Sequence, residues 1–267
     1  GGGLSKPYIE QLSVQGETLQ WTFDLDTTDD VTDVPLGTIT GDDAATLPEP
    51  PEKGRRKIVV KDALPSAFDW RDNNGQSYLT DIRDQKQCGS CWAFSTNAVM
   101  ESAILMHEGV TVDLSEQYLV SCNTNLLPDG VNCWGCSGGS RAFDYYLNRQ
   151  SECNKLGPIT EAQFPYTATE AVPNCASYTP LSYLIYAWGY IQKEPDVALI
   201  KQALLDYGPL FVSMNATEEF QSYKGGVFNY DDGKAATNHG VVIAGWDDSL
   251  GDEGAWIVKN SWGKEWG

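Results

Sequence analysis

Seven cysteines stand at 88, 91, 122, 133, 136, 153 and 175, and the 87 residues before them hold none. Packed into an 88-residue window of a 267-residue chain, they confine any covalent staple to its middle and, being odd in number, leave one sulfur over. Clustered cysteines in a chain of this size point to an oxidising compartment, three bridges and one thiol that is a candidate nucleophile. A zinc site is the competing use, because Cys88-x-x-Cys91 and Cys133-x-x-Cys136 imitate a double knuckle. The 41 residues between those pairs far exceed the about 15–20 of compact zinc modules, so no metal is expected.

The texture of the chain changes near Leu64. Residues 1–64 carry 12 acidic and 6 basic side chains and a Pro/Asp/Thr-rich stretch from Asp24 to Pro51 without helical period, which reads as a flexible linker or pro-region-like segment. Within it, Gln11–Val14 and Thr18–Phe23 flank Gly16 like a small hairpin, and Gly54-Arg-Arg-Lys57 is an isolated basic cluster. The main domain is expected over 65–267, as a helical lobe (about 65–176) followed by a β lobe (about 177–267), an α+β arrangement with its ligand cleft between lobes. Helices are expected from about Ser90 to Gly109, from Ser115 to Cys122, from Ser140 to Asn148, and between Pro195 and Gly208-Pro209. Strands are expected at Leu210–Met214, Gly240–Trp246 and Ala255–Lys259. The start at Gly1 reads as trimmed and the stop after Trp266-Gly267 as a C-terminally incomplete domain.

Charge narrows the partners. With 37 acidic against 18 basic side chains the formal charge is −19, which repels nucleic acid and anionic lipid. No apolar run approaches the about 18 residues of a membrane span.

Only two histidines are present, so chemistry that needs an imidazole has two candidates. Cys91 lies in Gln85-Lys-Gln-Cys88-Gly-Ser-Cys91-Trp-Ala-Phe-Ser95 at an expected helix start, where the dipole favours thiolate. His107 sits 16 residues further along the same helix, roughly 24 Å away at 1.5 Å per residue. His239, just before a strand of the β half, is therefore the partner base. Asn260 follows the next strand and can orient the imidazole through its amide oxygen, while Trp262 can cover that bond from water. Gln85 and the Cys91 backbone N–H can together stabilise an oxyanion.

These residues carry a signature, and the chain resembles the papain-like cysteine proteases over about 65–267. The resemblance rests on Asp69-Trp70-Arg71, Gln85 through Ser95, Gly135-Cys136-Ser137-Gly138-Gly139, Gly208-Pro209, Gly225-Gly226-Val227, Asn238-His239-Gly240 and Asn260-Ser261-Trp262-Gly263. It implies a two-lobed fold with a helical N-terminal lobe, a β-barrel-like C-terminal lobe and the active-site cleft between them. It implies a secreted or lysosome-like (vacuolar) cysteine endopeptidase with Cys91 as nucleophile, His239 as acid and base, Asn260 as orienter and Gln85 as oxyanion donor, acting on polypeptides without a cofactor, as a monomer. It further implies substrate contacts at Gly138, Gly139, Ser140, Arg141, Ser213, Asn238 and Trp262, and bridges Cys88–Cys136, Cys122–Cys175 and Cys133–Cys153. Residues 1–64 lack the family's helical propeptide pattern, and no His-bearing occluding loop is visible, which favours endopeptidase action. The other readings are a catalytically inactive module on the same fold and a redox or zinc role for Cys88-x-x-Cys91.

Overall fold

A computed structural model of the 267-residue chain describes residues 14–17, 21–23, 58–61, 63–123, 135–139, 142–148, 157–183, 185, 188–191, 196–230 and 237–267. Its strands are β1 (Val14–Glu17), β2 (Trp21–Phe23), β3 (Ala67–Asp69), β4 (Trp188–Tyr190), β5 (Leu210–Met214), β6 (His239–Asp247) and β7 (Ala255–Lys259). Its helices are α1 (Cys91–Glu108), α2 (Glu116–Cys122), α3 (Phe143–Asn148), α4 (Val197–Tyr207) and α5 (Glu218–Gln221).

α1 begins within a residue of its expected start and ends where expected, because Gly109, at φ 67°, takes the left-handed turn that stops it and donates its N–H to the Leu105 carbonyl. Every residue from Cys91 to Leu105 is buried, so α1 is a central helix that is covered all round instead of a surface helix with one apolar stripe. α2 is capped by Ser115, whose side chain accepts from Tyr118 N–H, and α4 by Asp196, which accepts from Leu199 N–H.

β6 organises the sheet, which runs β3-β6-β5-β2-β1-β4 with β7 on β6. β5 and then β3 line one edge of β6, β7 lines the other, and all three pair antiparallel to it. Eight of its nine residues are buried, which explains its continuous Val/Ile/Trp texture. The register sets Met214 opposite His239 and Ser213 opposite Gly240. One contiguous core, including Trp92, Leu204, Phe211, Val242 and Trp246, joins α1 to the sheet.

Two boundaries differ from expectation. β3, assigned by sequence to the helical lobe, is an edge strand on β6, so the chain enters the sheet before building its helices. The amino-terminal segment is not wholly linker, because β1 and β2 join the sheet, β2 running parallel to β5 and β1 antiparallel to β4. Gly16 does not form the turn of the expected hairpin but lies within β1, paired with Trp21. β1 is held from both sides, and this two-sided pairing overrides the local turn preference of glycine.

Candidate active site

The turn that precedes α1 is closed by the Cys88–Cys136 disulfide and by Gly89 N–H donating to the Cys136 carbonyl at 2.9 Å. Gly139 then packs flat on Trp92: a Cβ there would lie 2.7 Å from the indole, so only glycine fits. This brings Gly138 and Gly139 beside the first turn of α1. Cys91 heads that turn as a fully buried thiol outside any disulfide. Cys88 is bridged to Cys136, which excludes both an 88–91 bridge and a zinc role for that sulfur.

β6 delivers the imidazole to the same place. A Cβ on Gly240 would sit 3.6 Å from the Cys91 carbonyl carbon and 3.5 Å from Ser95 Oγ, so the start of β6 lies against the start of α1. His239 is fully buried, with Nε2 2.7 Å from Asn260 Oδ1. That oxygen also accepts the Ser261 backbone N–H at 2.8 Å, which fixes the orientation of the amide. An oxygen cannot donate, so the ring proton resides on Nε2 and Nδ1 carries the lone pair of a base. Nδ1 is buried with no hydrogen-bond partner among the described residues. Trp262 stacks on the ring at 4.4 Å and 26°, covering the His239–Asn260 bond.

Burial pushes the His239 imidazole down to about 4, opposed by its bond to Asn260. Alone, the ring is therefore neutral at pH 7, and only an adjacent anion can hold it protonated.

Gln85 reaches the site from the opposite strand of chain. Its backbone N–H donates to the Ser261 carbonyl at 2.8 Å and Gly263 N–H donates to the Arg83 carbonyl at 2.9 Å, forming a short antiparallel crossing. Its side-chain amide donates to the Cys88 carbonyl at 3.0 Å and accepts from Ser261 Oγ at 2.7 Å. The hydroxyl thus fixes which end of the amide faces Cys88 and leaves the second N–H for another acceptor.

The remaining expected residues are distributed unevenly. Ser213 is buried on β5 next to this start of β6. Asn238 spends its amide on the chain itself, accepting from Ala216 N–H at 2.7 Å and donating to Ala216 O at 3.2 Å, a clamp on the turn before His239. Ser140, Arg141 and the Cys133–Cys153 pair lie outside the described residues. The Cys122–Cys175 bridge is not formed: Cys122 keeps a buried thiol, and Cys175 is already disulfide-bonded, and a sulfur makes only one such bond. Sequence reasoning missed Ser261, whose place between Asn260 and Trp262 was the available signal, and Tyr166, described below.

A second buried group adjoins the site. Lys259, next to Asn260 on β7, donates to Thr80 O (3.0 Å) and Oγ1 (2.9 Å), and Thr80 Oγ1 bonds to Glu101 of α1. A cavity of about 20 Å³ lies here among Arg83, Glu101, Glu116, Lys259, Asn260 and Ser261. Burial raises both carboxyls, Glu116 well above its usual range, and lowers the Lys259 ammonium.

Comparison with known proteins finds the description "Papain family cysteine protease" matching residues 64–267. Human cathepsin L2 is 37% identical over 217 residues, covering 76% of this chain and 58% of that protein. Fruit bromelain of Ananas comosus is 31% identical over 207 residues, covering 77% and 53%. Among solved structures, digestive procathepsin L2 from Tenebrio molitor larval midgut superposes with a TM-score of 0.62 at 31% identity, covering 77% of this chain and 61% of that one. Bromelain of Ananas comosus with an inhibitor bound superposes with a TM-score of 0.58 at 28% identity, covering 76% and 86%. The chain spans between half and three fifths of the length of these two curated relatives.

Proposed function

The chain belongs to the papain family of cysteine proteases, and on that premise we propose that it is an endopeptidase in which Cys91 attacks and His239 moves the proton. The observation that carries this reading is the His239 Nε2–Asn260 Oδ1 bond, because it leaves the lone pair on Nδ1, the nitrogen not already committed, at a strand start packed on the Cys91 helix turn.

The chemistry runs in two halves. His239 Nδ1 takes the thiol proton, and the sulfur attacks the peptide carbonyl carbon; the resulting oxyanion is held by Gln85 Nε2–H and the Cys91 N–H. Collapse breaks the C–N bond, the Nδ1 proton goes to the leaving amine, and a thioester remains. Water, deprotonated by Nδ1, then attacks the thioester and releases the acid and the thiol. Backbone groups at Gly138 and Gly139 would align an extended polypeptide by strand addition, with Ser213 in an adjoining pocket. The Cys88–Cys136 bridge supports a secreted or lysosome-like compartment.

The test is hydrolysis of a fluorogenic peptide by the full-length protein with Cys91→Ala as control, alongside haloacetamide alkylation across pH. Hydrolysis lost in the control and a Cys91 reactive below about pH 6 support the reading. No hydrolysis, with a thiol reacting only near about pH 8.5, would overturn it in favour of a binding module.

A further inference from the structure

We propose that Tyr166 is a positioning residue whose hydroxyl holds Ser90 away from the start of α1 and so keeps that helix end open for the anionic sulfur and oxyanion. This rests on the function proposed above.

Serine at a helix N-cap ordinarily turns its oxygen onto the second or third N–H of the helix. Ser115, Asp196 and Thr217 all do so at the starts of α2, α4 and α5, accepting from Tyr118, Leu199 and Phe220. Ser90 does not: its backbone is at φ −109°, ψ 13°, away from the extended cap conformation, and its side chain makes no capping bond. The hydroxyl is instead 2.5 Å from Tyr166 Oη and 3.3 Å from the Cys88 carbonyl.

Proton counting gives this bond a direction. Tyr166 Oη also lies 2.8 Å from the Gln85 carbonyl, which can only accept, so the phenol proton is spent there. The single Ser90 Oγ proton then has two acceptors, Tyr166 Oη at 2.5 Å and the Cys88 carbonyl at 3.3 Å, and the shorter contact takes it, in a relay Ser90 to Tyr166 to Gln85. The ring is anchored edge-on to Phe94 at 4.8 Å, and its backbone N–H donates to Glu161 at 2.7 Å. One phenol therefore touches the residue before the nucleophile and the backbone of the oxyanion donor.

The consequence is electrostatic. A capping oxygen would place a partial negative charge on the N–H groups whose positive field favours thiolate at Cys91. Buried Ser90 has a hydroxyl able to do this, and Tyr166 diverts it. Helix stability is given up at this terminus so that the field stays directed at the sulfur.

The experiment compares the full-length wild type, Tyr166→Phe, and Tyr166→Phe combined with Ser90→Ala. Released from Tyr166, Ser90 can turn to the extended cap conformation and cap the helix, so Tyr166→Phe is expected to raise the pH midpoint of Cys91 alkylation by about one unit and lower kcat about tenfold, with KM little changed. Adding Ser90→Ala removes the capping oxygen and is expected to restore most of both. A purely structural phenol predicts no such rescue. Should Tyr166→Phe fail to fold, Ser90→Asn, which can cap with Tyr166 intact, is expected to raise the same midpoint. An unchanged midpoint in Tyr166→Phe, or a double variant no better than the single one, overturns the proposal. If wild type does not hydrolyse peptide while the midpoint still responds, the peptidase reading fails and this positioning role stands.

Discussion

At the residue level, burial alone leaves His239 neutral at pH 7, since nothing but the Asn260 amide opposes it. The imidazolium of an ion pair must then be sustained by the Cys91 thiolate, and the two charges exist together or not at all. NMR titration of Cys91→Ala should accordingly find His239 protonating near 4, with a distinctly higher midpoint in the wild type, because removing the anion leaves only the Asn260 amide to favour the protonated ring. Gln85 makes a separate prediction. Its side chain is already oriented by Ser261 Oγ, so Gln85→Ala should lower kcat about 10²–10³-fold with little change in KM. Scarcity of histidine and the order of the motifs pointed to Cys91, His239, Asn260 and Gln85 as candidates, and the fold gathers them around the start of α1. Ser261 and Tyr166 were not legible: the place of Ser261 between Asn260 and Trp262 hinted at a role without naming its partner, and only the fold shows which amide or carbonyl each hydroxyl meets.

At the level of elements, α1, α2, α4 and β5 to β7 could be read from caps, glycine stops and apolar runs, because each signal lies within a few residues of the element it ends. β3 could not: three residues acquire their meaning from pairing with β6, nearly 180 positions away. That pairing is tight, since a Cβ on Gly245 would lie 2.2 Å from the Phe68 carbonyl oxygen. Gly245→Ala should therefore displace β3 and cost about 1–3 kcal/mol in denaturant unfolding. Between α1, α2 and β7, burial raises Glu116 well above the usual carboxylate range, with Glu101 and Glu161 adding repulsion and Arg83 offsetting part of it. A folded-state pKa above the unfolded one favours the native state while the group is protonated, and that advantage is lost as pH rises from about 4.5 through the folded value. Glu116→Gln should then melt higher than wild type at pH 7, with the gap closing below about pH 4.5 in calorimetry.

Across the whole molecule, a charge of −19 surrounds a candidate site in which Cys91 and His239 are buried. Such a field attracts cationic polypeptides over distances of the order of the about 10 Å Debye length at 0.1 M salt. At low ionic strength kcat/KM for a Lys/Arg-flanked peptide should exceed that for an acid-flanked one, and the ratio should collapse in about 0.5 M salt; equal rates throughout would show that the surface charge does not steer substrate.

The crossing of residues 83–85 with 261–263 brings together parts of the chain made at very different times. During synthesis the sulfur leaves the ribosome nearly 150 residues ahead of the imidazole and about 170 ahead of its amide partner. A half-made chain thus holds a nucleophile without a base, and a copy nicked between 91 and 239 that loses its second piece is left in the same state. On the function proposed above, the pair is complete only once β6 and β7 have followed α1 out of the ribosome, so the order of translation would itself hold the activity back.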